Sequence, residues 1–196
     1  KWSFMPKTTD KPKYLCINGD ESEPGSFKDR QIFEFNPHQM IEGAIITCYA
    51  IGAKTAYVYI RGEYHRWIKF LQKAIEEKKK KGFLGDRMKE TFGTNFACDV
   101  YIHKGAGAYI CGEETALFES IEGKRGFPRI KPPFPTTYGV FGKPTVINNV
   151  ETLCNVPLII SQGVAEFRKI GTEKSPGPKL FCVSGDVVKT GVYEVP

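Results

Sequence analysis

The sequence has few of the features that mark disulfide-rich, metal-binding or membrane proteins. No two of its six cysteines are close enough to form a Cys-x-x-Cys pair, and it has only three histidines. No apolar run approaches the roughly 18 residues of a membrane-spanning helix, and the first residues lack the pattern of a secretory signal. We therefore expect a cytoplasmic protein with no direct membrane insertion, in which any iron–sulfur cluster is held by other residues or another chain.

A net charge of +6 raises nucleic-acid binding as a class of function. Much of the excess lies in four lysines at 78–81, at the end of a predicted helix, where the helix dipole favours positive charge. No RNA- or DNA-binding motif places aromatic residues among these charges. We therefore expect no nucleic-acid partner.

Apolar runs alternate with helical patterns along most of the chain. The predicted elements are strands at 14–17, 56–60 and about 96–102, and helices at 36–52, from 64 into the lysine run, and at roughly 113–122. A Pro- and Gly-rich passage at 126–144 predicts a long functional loop, and 146–153 is interpreted as the entry to a fourth helix. Strands separated by helices imply a parallel sheet with right-handed crossovers.

Two acidic, glycine-punctuated loops each follow a predicted strand and precede a predicted helix. The first, 18–25, reads Asn-Gly-Asp-Glu-Ser-Glu-Pro-Gly, and the second, 105–115, reads Gly-Ala-Gly-Ala-Tyr-Ile-Cys-Gly-Glu-Glu-Thr. The carboxyl ends of parallel strands meet at one edge of the sheet, where open α/β sheets bind their ligands. We therefore expect the five carboxylates of these loops to point into one crevice.

The residues alone leave the chemistry of this crevice open. The carboxylates could hold Mg²⁺ or Mn²⁺, but no histidine or Asp-x-Asp pattern accompanies them. They suit a polar, uncharged ligand part, such as a ribityl chain, an amide or a flavin ring edge, and they should repel phosphate. Glu113 and Glu114 could instead serve the helix dipole, and Asp20 and Ser22 could close a turn.

Three further residues are candidate ligand contacts, but each also has an ordinary structural explanation. Asn148 and Asn149 are predicted to open the fourth helix, and a helix amino terminus binds phosphate. Asparagine is also a common N-cap without any ligand. Phe134, in the Pro-rich passage, could stack on a planar base or simply pack.

Four motifs together resemble one protein family. They are 18–25, quoted above, Ala-Tyr-Ile-Cys-Gly-Glu-Glu-Thr-Ala-Leu at 108–117, Lys-Pro-Pro-Phe-Pro at 131–135 and Asn-Asn-Val-Glu-Thr at 148–152. The family is the flavin-bearing NADH-oxidising subunit of respiratory complex I, with relatives in NAD-linked hydrogenases, electron-bifurcating hydrogenases and NAD-dependent formate dehydrogenases. The resemblance implies an α/β fold: a Rossmann-like, mostly parallel sheet with flanking helices over 1–178, then the start of a β-grasp domain over 179–196.

The resemblance also implies an oxidoreductase that binds FMN and NADH. Hydride would pass from NADH to the flavin N5, and electrons would leave singly to iron–sulfur clusters. The implied FMN contacts are Asn18, Asp20, Gly112, Glu113, Ile147, Asn148 and Asn149. The implied NADH contacts are Lys1, Phe4, Glu23, Tyr109, Glu114 and Phe134. Phe4 and Phe134 would face the adenine. The implied catalytic residues are Glu23 and Glu114, which would position the nicotinamide or tune NAD⁺ release.

Two parts of the family pattern lie outside this sequence. A loop of the form Gly-Arg-Gly-Gly-x-Gly-Phe-Pro-x-Gly precedes the segment matching 1–4, and a cysteine-containing carboxyl-terminal region binds a [4Fe–4S] cluster. The resemblance therefore implies a truncated portion without a metal site, with the cluster in the full-length subunit. The implied partners are a small thioredoxin-like [2Fe–2S] subunit and a larger iron–sulfur subunit, which would hold the protein at the inner membrane. The alternative is a platform for subunit interactions that binds no cofactor.

Overall fold

Helices surround a four-stranded sheet, and a two-stranded hairpin forms the carboxyl end of the chain. The computed structural model describes all 196 residues. The helices are α1 (Asp29–Phe35), α2 (Pro37–Ile51), α3 (His65–Lys80), α4 (Met88–Phe92), α5 (Glu114–Ile121), α6 (Val150–Gln162) and α7 (Val164–Phe167). The strands are β1 (Tyr14–Gly19), β2 (Thr55–Ile60), β3 (Asp99–Lys104), β4 (Thr145–Asn149), β5 (Lys179–Val183) and β6 (Gly191–Val195). None of the seven helices has the length and hydrophobicity needed to span a lipid bilayer.

The sheet has the order β3-β2-β1-β4, and all its strands are parallel. Ile17 of β1 lies opposite Val58 of β2 and Asn148 of β4. Alternate strand residues face opposite sides, so Ile17 joins the larger core with α1, α2, α3 and α6, whereas Cys16 packs with α5. The predicted mostly parallel α/β fold is confirmed.

The prediction of a helix entered at 146–153 is wrong in its first residues. Thr145–Asn149 form β4, and α6 begins only at Val150. The β-branched side chains of Thr145, Val146 and Ile147 suit a strand, and this segment pairs with the free edge of β1. Ile147 and Asn148 therefore lie on a strand, and only Asn149 is an N-cap.

α2 and α6 cross closely on one face of the sheet. A Cβ atom added to Gly43 of α2 would lie 2.0 Å from the carbonyl oxygen of Leu153 in α6. Glycine is therefore required at this position, because any side chain would push the two helix backbones apart.

The carboxyl-terminal residues form two strands. β5 and β6 pair antiparallel, with Phe181 opposite Tyr193. The hairpin contacts the main body through the Leu180 N–H, which donates to Glu151 Oε1 at 2.8 Å. A domain boundary at 178 and the β-grasp assignment stay predictions.

Candidate active site

The two acidic loops meet at the carboxyl edge of the sheet, as predicted. Asn18 Nδ2, at the end of β1, donates to the carbonyl oxygen of Gly112 in the second loop at 2.9 Å. Asp20 lies beside this contact, where Ser22 Oγ donates to its Oδ1 at 2.9 Å. Its Oδ2 is buried without any hydrogen-bond partner, and burial raises the pKa of this carboxyl. Asp20 therefore holds an unused acceptor next to Gly112.

Glu21 does not point into the crevice, which corrects the expectation of five converging carboxylates. Its side chain is buried, and only 5% of the residue is exposed. Glu21 Oε1 accepts from the backbone N–H of Asp29 at 2.8 Å, and its Oε2 accepts from the Tyr64 hydroxyl at 2.9 Å. These donors satisfy the carboxylate inside the protein, where it stabilises the start of α1.

Glu113 caps α5. Its Oε2 accepts from the backbone N–H groups of Thr115 and Ala116 at 2.8 and 2.9 Å, and from the Thr115 hydroxyl at 2.6 Å. Burial acts to raise the pKa of Glu113, but these hydrogen bonds and one from Lys131 outweigh it and lower the pKa. Glu113 is therefore the N-cap of α5, one position before the first turn in which the helix-dipole alternative placed it, and its Oε1 faces the crevice and pairs with Lys131 at 3.3 Å.

Glu114 links the two lysines of the crevice. Lys131 Nζ lies 2.8 Å from Glu114 Oε1, and Lys1 Nζ lies 3.4 Å from Glu114 Oε2. Hydrogen bonds from Lys131 to Glu114 and Glu113 raise the pKa of the Lys131 ammonium. The crevice therefore contains cations as well as carboxylates, and the expectation that it repels phosphate does not hold for this part.

Asn148 and Asn149 have different local roles. Asn149 Oδ1 accepts from the Glu151 N–H at 2.9 Å as the N-cap of α6, and its Nδ2 donates to Asp29 Oδ2 at 2.8 Å. Asn148 Oδ1 accepts from Trp2 Nε1 at 3.0 Å. No hydrogen bond within the chain uses Asn148 Nδ2, so this amide is an available donor.

Most of the residues assigned to FMN line one cleft of about 500 Å³, here called the inner cleft. Its lining residues are Lys1, Asn18, Gly112, Glu113, Glu114, Lys131, Ile147, Asn148, Asn149 and Thr152. Lys131 and Thr152 carry no predicted role. Both lie in motifs quoted for the family resemblance, at 131–135 and 148–152, and that position is the only signal by which the sequence could have singled them out.

Residues assigned to NADH meet in a second cavity of about 480 Å³, here called the outer cavity. Lys1, Phe4, Glu114 and Phe134 line it together with the 135–137 turn and part of β4. The rings of Phe4 and Phe134 are largely exposed, so each offers an aromatic face to a planar ligand.

Glu23 and Tyr109 lie apart from the lining of both cavities. The Tyr109 hydroxyl donates to Glu23 Oε2, and this hydrogen bond raises the pKa of the tyrosine. The contact joins the two acidic loops a second time. The NADH roles of these two residues stay predictions.

The comparison with known families decides the assignment of the chain. The family model described as the Nuo51 FMN-binding domain matches residues 1–158. The chain belongs to this family. Its relatives include NADH-quinone oxidoreductase subunits of Rhizobium meliloti (strain 1021) and Aquifex aeolicus (strain VF5), each 60% identical over 196 residues. The alignments cover all of this chain but 46% and 45% of those relatives, so the chain spans about half their length.

A solved structure agrees with this assignment to the Nuo51 FMN-binding domain family. A crystal structure of NAD⁺-reducing [NiFe]-hydrogenase in the H₂-reduced state matches with a TM-score of 0.90 and 45% identity. The match covers all of this chain and 32% of that chain. The predicted family is therefore confirmed. No group of three or more His, Cys, Asp or Glu side chains in this chain is arranged to hold a metal ion.

Proposed function

We propose that this chain forms the FMN- and NADH-binding part of an NADH-oxidising flavoprotein subunit. One observation carries the proposal: the inner cleft and the outer cavity share Lys1, Glu114 and Ile147 in their walls. Two adjoining pockets with a common wall suit two ligands that must touch, as a flavin and a nicotinamide must for hydride transfer.

The residues of the inner cleft fit FMN. Asn148 Nδ2 is a free donor, the Glu113 carboxylate offers acceptor oxygens, and Lys1 and Lys131 supply positive charge. Such a mixed set suits the hydroxyl groups and ring edge of a flavin and its phosphate group. When bound, FMN supplies the hydride-accepting chemistry, and the chain's own residues hold it and orient NADH against it.

The outer cavity supports NADH as the second ligand. Phe4 and Phe134 would hold the adenine by stacking on its faces, and Glu114 would lie near the nicotinamide because it belongs to both pockets. Glu23 and Tyr109 would act from the rim. No side-chain nucleophile is needed, because the cofactor carries the reaction.

The remaining family features extend the proposal. We infer that the full-length subunit carries a [4Fe–4S] cluster and that its partners are a thioredoxin-like [2Fe–2S] subunit and a larger iron–sulfur subunit. The similarity to NADH-quinone oxidoreductase subunits and to the NAD⁺-reducing hydrogenase supports iron–sulfur partners of this type.

A flavin titration tests the first part of the proposal. FMN fluorescence is followed on adding the chain, with and without a Gly-rich loop restored upstream. Asn148→Ala removes the free amide and should weaken FMN binding about fivefold, the effect of one net hydrogen bond of about 1 kcal/mol. Asn155→Ala is the matched control, because Asn155 lies on α6 outside the inner cleft. If neither form binds flavin, the cofactor-free platform replaces this proposal.

Substituting Glu114 tests the NADH part in the full-length subunit. Glu114→Gln removes the charge that pairs with Lys1 and Lys131, and the two freed cations should attract the dinucleotide phosphates more strongly. We expect NAD⁺ to inhibit about fivefold more strongly, the size of one exposed charge interaction, and turnover to slow as product release slows. Glu166→Gln, which breaks an exposed ion pair with Lys169, is the control. Unchanged NADH affinity and turnover in Glu114→Gln would remove Glu114 from the mechanism.

A further inference from the structure

One side chain of the long loop 126–144, Arg129, makes three hydrogen bonds that fasten the loop to the domain. Its Nε donates to Glu119 Oε1 at 2.5 Å and its Nη2 donates to Glu122 Oε1 at 2.7 Å, both on or next to α5. Its Nη1 donates to the carbonyl oxygen of Gly139 at 2.8 Å. The side chain is only 19% exposed. Arg129 therefore connects the first limb of the loop, the helix and the returning limb at once.

The backbone of the loop is connected to the same helix. The Arg129 N–H donates to Thr115 Oγ1 at 2.8 Å, and that hydroxyl donates to Glu113 Oε2 at 2.6 Å. On the returning limb, the Phe141 N–H donates to Glu122 Oε1 at 2.7 Å, the oxygen that Arg129 also contacts. Hydrogen bonds that converge on Arg129 and its partners therefore tie both limbs of the loop to α5, beside the packing of Val140 in the core.

This loop carries two residues of the proposed site. Lys131, two positions after Arg129, pairs with Glu114 in the inner cleft, and Phe134 forms a wall of the outer cavity. Phe134 is 60% exposed, so packing of its ring contributes little to holding it in place. Its position depends on the backbone, where its carbonyl oxygen accepts from the N–H groups of Thr137 and Tyr138 at 2.9 Å.

We propose that Arg129 is a positioning residue for NADH, which fixes the loop 126–144 so that Phe134 faces the dinucleotide. The inference rests on the proposed function. It assigns Arg129 no contact with ligand, because its three guanidinium nitrogens are occupied by protein acceptors. Lysine cannot replace it, because an ammonium lacks the planar fork that reaches three acceptors in different directions.

The test uses the full-length flavoprotein subunit with Arg129→Lys. Lysine keeps a cation beside Glu119 and Glu122 but loses the contact that holds the returning limb at Gly139. We expect the KM for NADH, measured with a one-electron dye as acceptor, to rise about tenfold, the loss of about one charged hydrogen bond. The value of kcat should stay within about twofold, because the loss falls on ground-state and transition-state binding alike. FMN affinity should also stay within about twofold, because Lys131 keeps its own ion pairs with Glu113 and Glu114. Amide hydrogen exchange across 134–145 should become faster.

Lys124→Met is the matched control. Lys124 Nζ lies 2.8 Å from Glu122 Oε2 and 3.8 Å from Glu119 Oε2, so it pairs with the same two carboxylates. Its side chain is exposed, and neither of these ion pairs involves the loop 126–144. Lys124→Met should therefore leave the KM for NADH unchanged.

The outcomes separate the positioning role from the proposed function. An unchanged KM in an active Arg129→Lys subunit, or an equal rise in Lys124→Met, overturns the role of Arg129 alone. If the unsubstituted subunit neither binds FMN nor oxidises NADH, the proposed function fails and the role of Arg129 fails with it. If Arg129→Lys does not fold, Glu119→Gln carries the test, because it weakens one contact of the same guanidinium. A smaller rise in KM at constant kcat then supports the role, and an unchanged KM overturns it.

Discussion

Replacing Glu113 by alanine should destabilise the chain through loss of the α5 cap. The carboxylate accepts three hydrogen bonds from Thr115 and Ala116. An N-cap contributes about 1 kcal/mol and at most about 2 kcal/mol. Thr115 is buried, so water cannot replace the carboxylate as the partner of its N–H and hydroxyl groups. The expected loss of stability therefore lies at the upper end of this range. The ion pair with Lys131 is partly exposed and adds little.

The expected loss for Glu113→Ala is therefore about 2 kcal/mol in the free energy of unfolding. With a urea m-value of about 2 kcal/mol/M, the midpoint should fall by about 1 M. Unfolding can be followed by the fluorescence of Trp2 and Trp67, which both pack against the core. Glu173→Ala, at an exposed position, is the control and should change stability by less than about 0.5 kcal/mol.

Glu113→Gln separates the charge of the cap from its oxygen acceptor. Glutamine still accepts from the helix N–H groups, so we expect a loss of about 0.5 to 1 kcal/mol from charge alone. The pKa of Glu113 is lowered in the folded chain from its ordinary 4.5, so the charge stabilises the fold fully above that pH. This stabilisation is lost as the pH falls through the lower folded pKa, and the difference between Glu113 and Gln should then disappear. A glutamine variant as unstable as the alanine variant at neutral pH would refute the capping argument.

Two further predictions concern the core and the loop anchor. Gly43→Ala should lower the free energy of unfolding by about 2 to 3 kcal/mol, because the added methyl group would lie 2.0 Å from the carbonyl oxygen of Leu153. Thermal unfolding should show a clear fall in the midpoint temperature, which the control Glu42→Ala, a change at the neighbouring exposed position, should not cause. Burial acts to raise the pKa of Glu122, but hydrogen bonds from Lys124, Arg129 and the Phe141 N–H outweigh it and lower the pKa from its ordinary 4.5. The hydrogen bonds to Glu122 should therefore be complete above pH 4.5 and be lost as the pH falls through the lower folded pKa. Amide hydrogen exchange at Phe141, corrected for intrinsic rates, should then become faster in acid.

The sequence predicts the elements with strong periodicity and misses the short ones. α2, α3 and α5 and the first three strands follow from apolar spacing and β-branched runs. α1 and α4 have seven and five residues, too few for a helical period to be recognised. β4 has five residues and ends in two asparagines, so no alternating pattern distinguishes it from a helix start. Its three β-branched residues favour a strand, but only the pairing with β1 decides between a strand and a helix start.

Proximity at the sheet edge is predictable from topology, but the role of each carboxylate is not. The partners that turn Glu21 inward, Asp29 and Tyr64, come from α1 and the segment before α3. Glu113 is occupied by its own helix, and Glu114 by Lys1 and Lys131. The hydrogen-bond partners of each loop carboxylate therefore distinguish its role better than its position in the sequence does. Among them, only Asp20 has a buried oxygen without any partner. A buried acceptor without a donor costs about 1 to 3 kcal/mol, so Asp20, beside Gly112, is the loop carboxylate that the protein itself satisfies least.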